Sequence, residues 1–370
     1  QNISIGSVTS TGGTISLLSG GQLSGTGELD VSGSTWVLGG DFVKDNGTLT
    51  SSGTLTISQT NLALSGNSTL TSDEALSFVT LSLNDFKLTL GSSTSDLTVE
   101  NAITIDASTA GILTGEADLI LMSSLNMSQG LLGSTGGTWE LKGDFKKTGG
   151  TLSITETNLT LTNMALLGLA PVNITLTSDE ALSFKTLNLN YNTLTLGSST
   201  SDLTVENAIT ISQNTEGIST GDADLILNKY LKILEEGSIT STGGIVSLSG
   251  GGQLSGTGEL DVSGSIWTLG GDFTKSSGIL TMLQTTLKLE NNITLTSDEA
   301  LSFVTLNLND FILTLGSLTA EVHSHLTVQN AITIDAITEG ISTGEADLIL
   351  MSALTMSEGL LQSSGGTWEF

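Results

Sequence analysis

The chain has 370 residues and a formal net charge of −28, with 45 Gly, one Pro, no Cys, and ten basic side chains that are all Lys. Ten scattered lysines without a single Arg fork exclude a phosphate-reading surface, so nucleic acid is not an expected partner. The lack of Cys excludes a disulfide scaffold and thiolate metal sites, and no apolar run is long enough to span a membrane.

From the N-terminus, apolar centres at Ile15, Leu23, Leu29 and Val37 recur every six to eight residues, with Gly or Ser-Gly between them. Short runs such as "TLTIS" (Thr54 to Ser58) and "AITID" (Ala102 to Asp106) alternate apolar and polar residues, which is strand periodicity. Centres at Leu49, Leu70 and Leu90 are evenly spaced, so three short strands make one coil of about 20–22 residues. That pattern predicts an all-β chain folded as a parallel β-helix, a β-solenoid in which each coil pairs with the next. The chain length corresponds to about 17 coils, a continuous solenoid over residues 1–370 roughly 80–85 Å long. Spacings that drift, rather than a strict hexapeptide, favour the right-handed form.

The one helical hint is "LTSDEALSF", which begins at Leu70, Leu176 and Leu295. Thr71 with Glu74, Thr177 with Glu180 and Thr296 with Glu299 fit a capping box, predicting one helical turn at a corner.

The four tryptophans mark a longer repeat. Trp36, Trp139, Trp267 and Trp368 divide the chain unevenly, giving repeats of about 36–138, 139–266 and 267–367. Leu121 to Trp139 and Leu350 to Trp368 are steps of equal length, whereas Leu227 to Trp267 is longer by about 22 residues, gained within 235–264. A repeat that gains that much chain and resumes in phase has gained one whole coil. A Trp either fills the interior beside small neighbours or packs on the outer wall next to the Gly pairs; the sequence leaves both open.

Chemistry is sparse. Glu116 with Asp118, Asp222 with Asp224 and Glu345 with Asp347 form acidic pairs that would share a strand face. They recur once per repeat, as a structural motif does, whereas an active site is built once. No catalytic, cofactor or metal residue is therefore assigned. In the third repeat an insertion turns "LGSSTSDLTV" (from Leu90) into "LGSLTAEVHSHLTV" (from Leu315), placing Glu321, His323 and His325 at alternate positions where a strand could hold a metal. "GGDF" at Gly39 to Phe42 and Gly270 to Phe273 faintly echoes calcium-binding turns, and structural calcium is the one cofactor to consider. Sequons include Asn46, Asn158, Asn173 and Asn292, a number that Asn-, Ser- and Thr-rich composition supplies by chance. Outward Thr rows could bind ice or mineral if they stayed in register, but "LTL" at Leu88 to Leu90 interrupts them.

With Cys-free coils of that length, rich in Gly, Ser, Thr and Asn, the chain resembles the β-helical shafts of bacterial surface adhesins of the filamentous-haemagglutinin type, with autotransporter passenger stalks nearby. The resemblance implies an extracellular or cell-surface rod or filament that projects, adheres or assembles without turnover. It also implies partners in the form of neighbouring segments, chains stacked end to end, or surface and matrix glycans. "GGTWEF" stops two residues after Trp368, inside a repeat, so the expectation is either a window of a longer shaft or open ends that stack. A carbohydrate-active β-helix and a Thr-rich surface-binding solenoid are the alternatives.

Overall fold

A computed structural model of the chain describes residues 2–44, 54–162, 173–212, 216–319 and 322–370, with the side chains of residues 4, 5, 319, 322 and 323 excepted. The expected strand centre at Leu49 and the sequon at Asn46 lie outside the described residues. The chain is all-β, and parallel strands stack into solenoid turns spaced by about 21 residues, about 16 turns in all. It forms two compact units: Gln1–Thr162 with Ile174–Asp179, and Asn163–Asn173 with Glu180–Phe370.

In the first unit three strands build each turn. Lys87–Leu90, Leu97–Val99 and Ile103–Ile105 are followed by Gly111–Leu113, Leu119–Leu121 and Leu125–Met127, each lying on its predecessor one turn back. Successive side chains point to opposite faces, so one residue in two enters the core. The inward row Leu76, Leu97, Leu119, Trp139, Leu159 runs in register through five turns, and Phe78, Val99, Leu121, Leu141, Leu161 runs beside it. All ten are buried. Each such apolar side chain contributes about 1.5–3 kcal/mol relative to exposure.

The second unit carries a longer row of the same kind: Leu182, Leu203, Leu225, Val246, Trp267, Leu287 and Leu306. Here the additional stretch of the middle repeat is accounted for directly. Leu119 pairs with Trp139 in the first unit, but Leu225 pairs with Val246 and only Val246 pairs with Trp267, so a full turn intervenes.

The indole rings lie inside. Trp36, Trp139 and Trp267 are almost completely buried and occupy positions held by Leu or Val one turn away. A Phe six residues later supplies the packing partner: Trp36 meets Phe42 and Trp267 meets Phe273 edge-on, with ring centroids 4.9 Å apart in both cases. The Gly before each Asp-Phe makes room for this corner. A Cβ on Gly143 or Gly271 would lie 2.6 or 2.7 Å from backbone carbon of the preceding turn, so no larger residue fits where one turn rests on another. The indole N–H groups of Trp36 and Trp267 have no hydrogen-bond acceptor among the described residues.

The helical turn expected at "TSDEA" does not form; no helix occurs among the described residues. Thr71 stays in the strand Ser68–Ser72, paired with Val43 of the previous turn, so its backbone follows the sheet. Thr177 and Thr296 likewise remain in strands. The glutamate does not reach back to cap the threonine; instead its own amide donates to a serine, Glu74 N to Ser72 Oγ (3.2 Å) and Glu299 N to Ser297 Oγ (3.1 Å). The next turn begins straight after this corner, with Thr80–Ser82 lying on Asn61–Leu64 and Thr305–Asn307 on Thr286–Leu289, each one turn back. A tight reversal follows, with positive φ at Asn84 and Asp85 and again at Asn309 and Asp310.

Candidate functional site

The recurring ionisable residues sit at corners, where a strand ladder leaves backbone amides without a carbonyl partner. At several corners an aspartate accepts from an amide one turn further on. Asp96 Oδ1 takes the N–H of Asp118 (2.9 Å), and Asp118 Oδ1 takes that of Thr138 (2.7 Å). Asp202 and Asp224 repeat this with the amides of Asp224 (2.9 Å) and Ile245 (2.7 Å). The Asp of each Gly-Asp-Phe does the same at another corner: Asp41 for Thr69 (2.7 Å), Asp144 for Thr175 (2.8 Å) and Asp272 for Thr294 (2.6 Å). A hydrogen bond to a charged acceptor contributes about 1.5–3 kcal/mol.

One member of each acidic pair, Asp118, Asp224 or Asp347, is thus engaged with a backbone amide of the next turn. Glu116 and Asp118 lie in the turn before Leu119–Leu121, not on a strand face, with Ala117 buried between them. Glu116 is exposed while Asp118 holds the next turn. Asp347 behaves alike, its Oδ1 accepting from Thr367 N at 2.6 Å.

The histidine insertion resolves into a small antiparallel hairpin, Ser317–Thr319 with Val322–His323. Glu321 lies outside the described residues, as does the side chain of His323. Beyond the hairpin the pattern resumes, with Ser324 standing for Ser95 and His325 for Asp96. Ser324 Oγ accepts from Ser297 N (2.6 Å) just as Ser95 Oγ accepts from Ser72 N (2.8 Å). His325 Nδ1 accepts from Asp347 N at 3.0 Å, the bond an aspartate makes in the other repeats. The same nitrogen lies 3.2 Å from Asp347 Oδ2. Among the described residues no three His, Asp or Glu side chains group around a common point that could hold a metal.

Sequence reasoning missed the lysines. Each interior Trp is followed eight residues later by Lys, at Lys44, Lys147 and Lys275, in a chain with only ten. That fixed offset was the available signal. These lysines occupy inward positions of the strands Phe42–Lys44, Phe145–Lys147 and Phe273–Lys275, and each is about 2% exposed. Their ammonium groups meet the acids of "SDEA" one turn on. Lys44 Nζ lies 2.5 Å from Asp73 and 3.1 Å from Glu74; Lys147 contacts Asp179; Lys275 contacts Asp298 and lies 3.1 Å from Glu299. Burial pulls the Lys44 ammonium towards neutrality, but its bonds to Asp73 and Glu74 carry its pKa above the ordinary lysine value.

The outward rows lack such regularity. Thr98 is followed at the same position in later turns by Ile120, Glu140 and Thr160, and Thr204 by Ile226, Ser247, Thr268, Lys288 and Asn307. Neither row is an unbroken Thr ladder. No helix of the described residues is long and apolar enough to cross a membrane. Comparisons of the chain with protein-family models, with curated proteins and with solved structures found no match.

Proposed function

We propose that this chain is a structural element of an extracellular or cell-surface protein, a shaft segment that holds other parts at a distance and carries out no turnover. One observation supports this reading above the rest: the ionisable residues that recur in the repeats are used to fasten one turn to the next. Asp96, Asp118, Asp202, Asp224 and Asp347 hold amides one turn on, and Lys44, Lys147 and Lys275 hold carboxylates. A ligand-reading surface repeated along the turns would instead preserve outward groups, and those rows change identity from turn to turn. In this reading the outer face is free to vary, with adhesion to glycans or association with further copies added by individual turns.

Negative-stain electron microscopy of the purified chain tests the reading. Narrow rods of constant width are expected, and compact particles would sink it. Surface labelling of intact source cells with an antibody to the chain tests its location; signal only after lysis would remove the extracellular assignment.

A further inference from the structure

The three lysine–aspartate contacts do not resemble ordinary surface ion pairs. In each, the amine is buried inside the solenoid, with only 2–3% of its side chain exposed, while the aspartate stands at the corner with 21–45% exposed. Lys44 Nζ lies 2.5 Å from Asp73 Oδ1, in direct contact with the carboxylate. A second carboxylate, Glu74 or Glu299, lies 3.1 Å from the same nitrogen in two of the pairs. An amine, a carboxyl carbon and a proton carrier thus converge at a site closed on the amine side and open on the acid side.

We propose that Lys44 with Asp73, Lys147 with Asp179 and Lys275 with Asp298 are sites of spontaneous amide formation, covalent side-chain bonds that lock neighbouring turns together. This holds whatever the shaft carries, and does not rest on the proposed function. The ammonium first passes a proton to the aspartate carboxylate by way of the adjoining glutamate, leaving a neutral amine beside a neutral acid. Burial of the amine favours that neutral pair, while the hydrogen bonds to Asp73 and Glu74, which hold Lys44 charged at rest, oppose it. The amine lone pair then attacks Cγ, forming the C–N bond as the carbonyl π pair moves to oxygen. When the carbonyl re-forms, the C–OH bond breaks and the hydroxyl departs with an amine proton as water. One amine and one carboxylic acid become one amide and one water; the glutamate is regenerated, and no oxidant or reductant is involved. Groups held in contact by a rigid scaffold react with effective concentrations on the order of 10⁵–10⁸ M, which is what makes condensation feasible in water. The partly open acid side gives the expelled water an exit.

Intact-mass spectrometry of the purified, denatured chain decides the matter. The expected mass is lower than that of the sequence by three water molecules, with the losses mapping after proteolysis to branched peptides that join the named residues. Lys44→Met should restore one water. Glu74→Gln should do the same while retaining both Lys44 and Asp73, separating proton transfer from simple pairing. Asp298→Asn should still form the bond but expel ammonia, shifting the mass loss at that site from water to ammonia. A wild-type chain at its full sequence mass, or water losses that map away from these lysines, would overturn the proposal. The wild-type measurement does not depend on any variant folding.

Discussion

The stretches Leu119–Trp139 and Leu225–Trp267 are built from the same motifs, yet the second holds an entire turn that the first lacks. Leu119 touches Trp139 directly, whereas Val246 stands between Leu225 and Trp267. Both stretches keep their inward rows buried and their corner aspartates bonded, with Asp118 reaching Thr138 and Asp224 reaching Ile245. The difference shows what the structural unit is. A turn interacts only with its two neighbours, so a whole turn can be added without disturbing either, while a fraction of a turn cannot.

The most severe way to break this comparison is to delete a fraction of a turn. Ser238 lies over Glu259, so removing residues 238–258 takes out one turn in register. That variant is expected to unfold cooperatively within a few degrees of the parent. Removing only residues 238–248 takes out two of the three strands of a turn, Ser238–Ser241 and Ile245–Leu248, so later strands meet the wrong ladder, and loss of the cooperative thermal transition by circular dichroism is expected.

Next in size come the indoles. Trp267→Ala empties a fully enclosed position and should cost about 3–5 kcal/mol in denaturant titration. Trp368→Ala, at a partly exposed position where the indole N–H donates to Thr343 Oγ1 (3.2 Å), should cost about half as much or less. Equal losses at the two sites would contradict the packing described for the interior row.

Smaller effects belong to the corners. Asp224→Ala leaves the Ile245 amide without its acceptor and should destabilise by about 1–3 kcal/mol, with Asp224→Asn recovering most of the loss because an amide oxygen can still accept. Faster hydrogen exchange at Ile245 in the alanine variant is the specific readout. The smallest effect is expected at His325→Asp, which restores the side chain found at Asp96 and Asp202. Its stability should stay within about 0.5 kcal/mol of the parent between neutral and mildly alkaline pH, and a larger loss would mean that His325 does more than hold Asp347.

How far the fold was legible varied with the residue. The Leu, Ile and Val centres announced short strands and the length of one turn, because alternation and repeat length follow directly from strand geometry. "TSDEA" misled because a capping box describes local bonds only. Its glutamate had a buried lysine available one turn back, and a charge-assisted contact to a desolvated ammonium outweighs a cap on a single helical turn. Glu116 and Asp118 looked equivalent in sequence, but only Asp118 stands beneath an unpaired amide. Trp could not be placed from its neighbours alone, since its packing partner is a Phe six residues later and the corner between them closes on the backbone of the turn behind.

By itself the sequence determined the strand content, the turn length, the Trp-to-Trp repeats and the absence of arginine and thiol chemistry. Those properties are set by side-chain alternation and composition within a few residues of chain. Only the tertiary structure decided which carboxylates hold backbone amides, that the lysines eight residues after each interior Trp turn inward, and that His325 takes an aspartate's place. Partners in those contacts lie a full turn or more away in sequence, and distance along the chain says nothing about them until the turns are stacked.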